Sequence, residues 1–249
     1  MTPTANPGIS GEPQDLARYT SAMSRNVHVN IADQNTGYTP YHRVVARLAA
    51  KYGDPGLPLL DIGTGAGNIP RLVHSLGFQF IDVADAYEEC LQSAAESVPI
   101  RQSYLIDEKT FNIADVIPPS SYNVVTMSHV LEHLLNPVKA LQDVYDLIAP
   151  GGVMVLAVPN PMRPVCVLQA ILRKRYSNLG HVVTWDRSHW MNFLERIMAY
   201  EVAEYASDSV PILPRSRGRF QRVEIALARV LPWLSFTNIA VIRKPFQPQ

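Results

Sequence analysis

A row of three glycines after a short apolar run is the part of this sequence best suited to chemistry. Leu57–Ile62 is mostly apolar and too short for a helix, so it predicts a buried strand. Gly63, Gly65 and Gly67 follow at a spacing of two, and apolar residues recur at helical spacing over 69–73. A strand, a glycine turn and a helix present backbone N–H groups and a helix N-terminus to a ligand, because glycine has no Cβ to block the approach.

The glycine spacing and a nearby acid narrow the class of ligand. A dinucleotide site needs the pattern G-x-G-x-x-G, but Asn68 stands where its third glycine belongs. Asp85 follows Gly63 by 22 residues, close to the offset of about 20 at which an acid meets the hydroxyls of a ribose. The pattern therefore favours a ribose-bearing ligand other than a nicotinamide dinucleotide.

Four motifs in order over residues 57–160 resemble those of class I S-adenosylmethionine-dependent methyltransferases of the small-molecule type. Asp61–Asn68, which reads D-I-G-T-G-A-G-N, resembles motif I, and residues 85–94 resemble the acidic segment after the second strand. Ser121–His133 resembles the family's S-F-D-V-V strand and L-E-H turn, and Pro150–Asn160 resembles its P-G-G turn and V-P-N strand end. The resemblance implies methyl transfer from S-adenosylmethionine, with S-adenosylhomocysteine as the product.

The resemblance also implies a set of cofactor-binding residues. Asp61 is expected to steady the glycine turn or to meet the ammonium of the methionine part, and Asp85 is expected to accept hydrogen bonds from the ribose hydroxyls. Backbone groups of the glycine turn would approach the methionine part. The expected set is Asp61, Gly63, Thr64, Gly65, Asn68, Asp85, Ala86, Asn112, Ile113, Ser128 and His129.

The turn after the third strand is expected to hold the adenine. Asn112 and Ile113 stand there in place of the family's D-A pair, so an amide replaces the expected acid. An asparagine oxygen can still accept from the exocyclic amine. Asp107 and Glu108 are competing candidates for this contact.

The segment that contains His129 and His133 also matches H-x-x-E-H, a zinc-protease pattern. Two histidines at i and i+4 bind zinc from one face of a helix. This segment instead lies between a predicted strand and Asn136, which leaves little room for a helix. We therefore expect no metal, with Ser128 and His129 bordering the cofactor and Glu132 bracing the turn with His133.

Two histidines are candidates for catalysis. His181 follows strand five at a place that resembles a histidine near the active site of small-molecule O-methyltransferases. The unperturbed pKa of histidine, about 6.5, suits a general base that takes the acceptor's proton. His129 is the second candidate, and a structural role is the alternative for each. Trp185 and Trp190 are expected either to line the acceptor pocket or to pack the cap.

Composition limits the partners and the compartment. Lys and Arg number 22, as do Asp and Glu, so no global positive field favours nucleic acid. Cys90 and Cys166 have neither metal-type spacing nor a disulfide framework, which indicates a reducing compartment. The sequence has no secretory signal pattern and no apolar run of about 18 residues. We expect a cytoplasmic protein.

Alternating strands and helices predict an α/β fold with a mostly parallel sheet. The resemblance makes this a Rossmann-like, seven-stranded methyltransferase sheet with helices on both faces. Strands are expected near 57–62, 78–83, 102–106, 122–127, 152–158, 201–210 and 236–243. Helices are expected near 41–51, 68–76, 87–97, 137–148, 189–200 and 222–231.

Two segments are expected outside the regular pattern. Residues 1–40 are interpreted as an N-terminal lid segment, with Tyr19, His28, Tyr38 and Tyr41 as candidates to cover the cofactor. The methyltransferase domain then spans 41–249, with an inserted cap at 160–188.

The acceptor is expected to be a small molecule or a lipid-linked one, methylated at a hydroxyl oxygen by in-line displacement. Val165–Leu172 is apolar and runs into Arg173–Arg175, and residues 211–249 are rich in arginine. Such segments suit peripheral contact with an anionic membrane, or else pack on the sheet or in a homodimer. The alternatives to the enzyme are a non-catalytic S-adenosylmethionine-binding regulatory or scaffold protein and a nicotinamide-dependent oxidoreductase.

Overall fold

One seven-stranded sheet organises the chain in a computed structural model, which describes residues 38–175, 177, 180–211 and 220–246. The strands are β1 (Leu59–Ile62), β2 (Ile81–Asp85), β3 (Gln102–Leu105), β4 (Tyr122–Ser128), β5 (Ile148–Pro159), β6 (Glu201–Ser207) and β7 (Thr237–Arg243). Their order across the sheet is β3-β2-β1-β4-β5-β7-β6. Strands β1 to β5 pair in parallel, whereas β7 runs antiparallel to both β5 and β6. This order confirms the predicted class I methyltransferase sheet.

The helices alternate with the strands in sequence. They are α1 (Pro40–Tyr52), α2 (Asn68–Ser75), α3 (Glu88–Ser97), α4 (Ile113–Val116), α5 (Pro137–Leu147), α6 (Pro164–Ile171), α7 (Arg187–Asn192) and α8 (Gln221–Val230). Short turns of 3₁₀ helix cover Leu131–His133 and Pro232–Leu234, and a π-helical turn covers Phe193–Ile197. Among the described residues, no helix has both the length and the apolar character needed to span a bilayer.

Both faces of the central strands are buried, as expected where strands pair in parallel. Alternate residues of β1 belong to different cores: Leu60 and Ile62 pack in one apolar cluster, and Leu59 packs in the other. The second cluster includes Val45 and Ala49 of α1. This two-sided burial is why the strands read as apolar runs in the sequence.

The sheet order places a crevice beside the end of β1. The chain leaves β1 for β2 on one side, while β4 lies on the other side. Ligands of open α/β sheets bind at such a switch point, outside the carboxyl ends of the strands. Because β1 ends at Ile62 and β4 ends at Ser128, the turn that starts at Gly63 and the backbone at His129 lie at the same edge.

The element bounds differ from expectation at three places. β2 begins at Ile81 rather than near residue 78, and β5 begins at Ile148, so that it contains the P-G-G turn. The predicted helix 189–200 begins earlier, because Asp186 accepts hydrogen bonds from the N–H groups of Ser188 and His189 and caps α7. That helix passes into the π-helical turn and ends before β6.

The lid segment falls largely outside the described residues. Tyr19 and His28 lie in the part of the chain that is not described, whereas Tyr38 lies just before α1 and Tyr41 lies in its first turn. The guanidinium groups of Arg43 and Arg71 lie 5.4 and 5.5 Å from the centroid of the Tyr38 ring. The domain bounds at residue 41 and at 160–188 stay predictions.

A buried carboxylate ties β2 to the start of β3 and to β4. Asp82 is fully buried and accepts hydrogen bonds from Arg101 Nε (2.8 Å) and Nη2 (2.6 Å) and from the Tyr122 hydroxyl (2.8 Å). A buried charge that loses its partner is costly because the low dielectric no longer compensates the lost hydration. Arg101 is therefore a structural residue.

Replacing Arg101 with Met should destabilise the fold by about 1–3 kcal/mol, the usual cost of an unsatisfied buried polar group. Urea unfolding followed by circular dichroism measures this change. Lys139→Met is the matched control, since it removes an exposed ion pair with Asp143 that is worth about 0.3–0.5 kcal/mol. Equal losses in the two variants would contradict the structural role of Arg101.

Candidate functional site

The glycine turn between β1 and α2 has a left-handed backbone at each of its glycines. The φ angles of Gly63, Gly65 and Gly67 are 71°, 51° and 71°. A Cβ at Gly63 would lie 2.1 Å from Cγ2 of Val130, whereas a Cβ at Gly65 would have no atom within 4 Å. Gly63 is thus required by packing, and the space beside Gly65 is open to a ligand.

Asp85 holds this turn from the end of β2. Its Oδ2 accepts a hydrogen bond from the Gly65 N–H at 3.0 Å, and its Oδ1 accepts one from the Tyr87 N–H at 3.1 Å. A carboxylate oxygen can accept more than one hydrogen bond. Asp85 therefore fixes the turn and also offers acceptors to the cavity that both border.

One cavity lies at this edge of the sheet and brings together most of the predicted cofactor residues. The predicted residues that line it are Gly63, Thr64, Gly65, Asn68, Asp85, Ala86, Ser128 and His129. The Ser128 hydroxyl is buried there without a hydrogen-bond partner in the described part of the chain. An unsatisfied buried hydroxyl is unfavourable, so this cavity suits a polar ligand.

Asp61 lies beneath the turn and does not line the cavity. Its Oδ1 accepts a hydrogen bond from the Thr126 hydroxyl at 2.6 Å, and the residue is 1% exposed. Burial raises the pKa of Asp61 to about 7, although the Thr126 hydrogen bond works in the opposite direction. Of its two predicted roles, steadying the glycine turn is the one that this placement favours.

The turn after β3 reaches the cavity with different residues from those expected. Asn112 accepts a hydrogen bond from the Asp107 N–H at 2.8 Å, and Ile113 is fully buried in the core. Neither residue lines the cavity, whereas Glu108, Ile106 and Phe111 do. Of these three residues, Glu108 is the one that the sequence also predicts as a candidate for the adenine contact. The two apolar residues carry no sequence signal, since their side chains reach the cavity only through the fold of this turn.

His129 also lines the cavity and has a strained backbone conformation. Its φ is +57°, in the left-handed region that non-glycine residues seldom adopt. Its Nε2 lies 3.3 Å from the Thr237 hydroxyl, and its ring centroid lies 4.5 Å from that of Tyr41. Such strain is kept where the surroundings determine it, as at functional sites.

Charged and titratable groups surround His129 on several elements. Burial, followed by the effect of His129 itself, lowers the pKa of His42 to about 3. Burial raises the pKa of Asp208 to about 6, although the N–H of Thr237 donates a hydrogen bond to it. Glu132 approaches the Nδ1 of His129 to 3.5 Å. The surroundings of His129 therefore include groups that can hold or move a proton.

His181 does not line the cavity and reaches it through another histidine. Its ring lies edge-on to the ring of His133, with centroids 4.9 Å apart. His133 lines the cavity, and the ligand atoms of His133, His181 and Glu132 lie within 4.8 Å of one another. The sequence predicts only a bracing role for Glu132 and His133, because the approach of His181 to these residues has no local signal.

The tryptophan pair packs rather than lining the cavity. Trp185 and Trp190 are buried, with ring centroids 5.6 Å apart, and Phe193 lies 5.3 Å from Trp185. The Asn238 side chain donates a hydrogen bond to the Trp185 carbonyl at 2.9 Å. Of the two predicted roles for Trp185 and Trp190, the structure supports packing of the cap rather than lining of a pocket.

Known proteins with the same pattern identify the family. A family model described as a methyltransferase domain matches residues 34–197. The chain belongs to this methyltransferase family. The prediction of a class I S-adenosylmethionine-dependent methyltransferase is therefore confirmed for family and fold.

Individual relatives of this methyltransferase are distant. The ubiquinone biosynthesis O-methyltransferase of Xanthomonas campestris pv. campestris is 25% identical over 150 residues, 59% of this chain and 61% of that protein. The protein of the same name from Caulobacter vibrioides is 27% identical over 224 residues, 81% of this chain and 84% of that protein. A solved S-adenosylmethionine-dependent methyltransferase from Mesorhizobium loti has a TM-score of 0.58 at 15% identity, over 82% of this chain and 98% of that one. The chain spans less than two thirds of the Xanthomonas protein.

Replacing Asp85 with Ala should weaken S-adenosylmethionine binding about tenfold or more, because each lost hydrogen bond to a charged acceptor contributes about 1.5–3 kcal/mol. Isothermal titration calorimetry measures the affinity. The control is Asp146→Ala, which removes an exposed carboxylate at the end of α5. Unchanged affinity in a folded Asp85→Ala protein would refute this role.

Proposed function

We propose that this methyltransferase transfers a methyl group from S-adenosylmethionine to a hydroxyl oxygen of a small-molecule or lipid-linked acceptor. The observation that carries the proposal is the cavity itself, which is lined by the glycine turn, Asp85 and His129 together. Two relatives are named as O-methyltransferases of ubiquinone biosynthesis, which supports an oxygen acceptor.

The residues around the glycine turn suit the donor. S-adenosylmethionine supplies a methyl group on a sulfonium, so that transfer breaks a carbon–sulfur bond, forms a carbon–oxygen bond and leaves a neutral thioether. The open space beside Gly65 allows close backbone approach. Asp85 would accept from ribose hydroxyls, and the unpartnered Ser128 hydroxyl offers a further polar contact. Positioning of this kind can supply much of the acceleration.

His129 is our candidate for the group that takes the acceptor's proton. It lines the cavity, and the Glu132 carboxylate 3.5 Å from its Nδ1 favours the protonated ring that this step produces. Tyr41 packs on the ring, and Thr237 lies beside its Nε2. His181 lies behind His133, so we assign it a positioning role rather than direct contact with the acceptor.

The acceptor's physical class is suggested by the surface of the cap. Leu168, Ile171 and Leu172 of α6 and its end are 55%, 72% and 56% exposed. Exposed Arg173, Lys174 and Arg175 follow directly. An apolar helix face next to basic residues suits the interface of an anionic membrane, where a lipid-linked acceptor would be met.

Replacing His129 with Asn should lower turnover about 100-fold, the usual contribution of a general base, with little change in donor affinity. Asn is chosen because it tolerates the left-handed backbone at this residue. The assay follows a radiolabelled methyl group into a panel of phenols, alcohols and polyprenyl-linked phenols. His74→Asn, at an exposed site on α2, is the control, and full turnover in His129→Asn would exclude the base.

Vesicle flotation tests the membrane contact. Binding should require anionic lipid and should weaken as salt rises, because the basic residues are exposed and salt screens their charge. Ile171→Ser combined with Leu172→Ser should reduce the floated fraction, whereas Val230→Ser, at a residue 77% exposed on α8, should not. If the protein stays unbound at low salt, a soluble acceptor becomes the working assumption.

A further inference from the structure

The carboxylate of Glu132 is the most unusual buried group beside the cavity. The residue is 1% exposed, and neither carboxylate oxygen has a hydrogen-bond partner among the described residues. The nearest ring nitrogens are His129 Nδ1 at 3.5 Å and His133 Nε2 at 3.9 Å, both beyond normal hydrogen-bond length. A buried carboxylate normally has several hydrogen bonds or a bound cation.

The orientation of His133 shows that its ring does not donate a hydrogen bond to Glu132 when the ring is neutral. Its Nδ1 lies 3.1 Å from the carbonyl oxygen of Gly180. A carbonyl can only accept, so Nδ1 carries the hydrogen, and in a neutral ring Nε2 then has a lone pair. That lone pair faces the Glu132 carboxylate at 3.9 Å, so two acceptors meet, and a proton or a metal cation between them would satisfy both.

The chain brings a third donor to the same point. His181 lies 49 residues after Glu132, yet ligand atoms of Glu132, His133 and His181 lie within 4.8 Å of one another. The cap is held there by its backbone, since Val182 N–H donates to the Glu132 carbonyl at 2.8 Å. Two imidazoles and one carboxylate form a donor set typical of catalytic zinc sites.

We propose that Glu132, His133 and His181 bind one divalent transition-metal ion such as Zn²⁺. Ligand atoms of a tetrahedral zinc site lie about 3.4 Å apart, so side-chain movements of about 1 Å would close the set. The Gly180 carbonyl fixes the tautomer and orientation of His133, as an outer-shell partner does in many metal sites. This proposal departs from the sequence-based expectation that no metal is needed.

The place of the ion indicates what it would do. His133 lines the cavity, so the open coordination position of a three-ligand site would face the acceptor end. A bound hydroxyl oxygen loses its proton more easily because the cation stabilises the anion, and that proton would pass to His129. This role rests on the proposed function, whereas metal binding by itself does not.

The experiment uses the full chain after removal of metal with a chelator. Titration with Zn²⁺, and with Co²⁺ as the coloured substitute, should give one ion per chain and a visible Co²⁺ spectrum with nitrogen ligands. Glu132→Gln and His181→Gln should each weaken binding more than about 100-fold, since even outer-shell changes cost roughly 10- to 100-fold. His74→Gln should bind like the unchanged protein.

Two further readouts separate this proposal from the methyltransferase function. Donor binding to the metal-free protein should be unchanged in calorimetry, because the glycine turn and Asp85 lie outside the proposed ligand set. His181→Gln replaces a half-buried residue of the cap, and its melting curve should match that of the unchanged protein. Binding of less than one ion per chain would overturn the metal site, as would an affinity of Glu132→Gln and of His181→Gln equal to that of the unchanged protein. Either result would leave a protonated His133 as the partner of Glu132.

Discussion

The left-handed turn from Gly63 to Gly67 is the constraint on which the rest of the site depends. It lets the chain leave β1 and enter α2 while its backbone faces the cavity, and any Cβ at Gly63 would collide with Val130. Asp85 fixes the turn by accepting a hydrogen bond from the Gly65 N–H. Since Asp85 ends β2 and Val130 follows β4, the turn is held from both neighbouring strands of β1.

The strand order of the sheet determines which residues can form the site. Parallel strands β1, β2 and β4 all end at the same edge, and the switch in strand order leaves a crevice there. Residues directly after these strands therefore line the cavity, whatever their distance in sequence. The two apolar cores on either face keep these strand ends in register.

Several buried polar groups lie close to His129. Glu132 lies among His129, His133 and His181, while Thr237 and Asp208 approach from the antiparallel side of the sheet. Burial works to raise the pKa of Glu132, yet His129 and His133 outweigh it and hold that pKa below its usual range. A charge kept in such surroundings indicates a site for proton transfer or cation binding rather than a packing contact.

The sequence by itself determined the family, the sheet and most of the residues around the glycine turn that line the cavity. Glycine spacing, the acid at Asp85 and the alternation of strands and helices are local patterns, and each reflects a backbone requirement of its own segment. Only the tertiary structure decided that Asp61 lies below the cavity, that Ile106 and Phe111 border it, and that His181 joins Glu132 and His133. Those arrangements depend on how distant segments pack, and side-chain packing across 49 residues leaves no periodic signal in the chain.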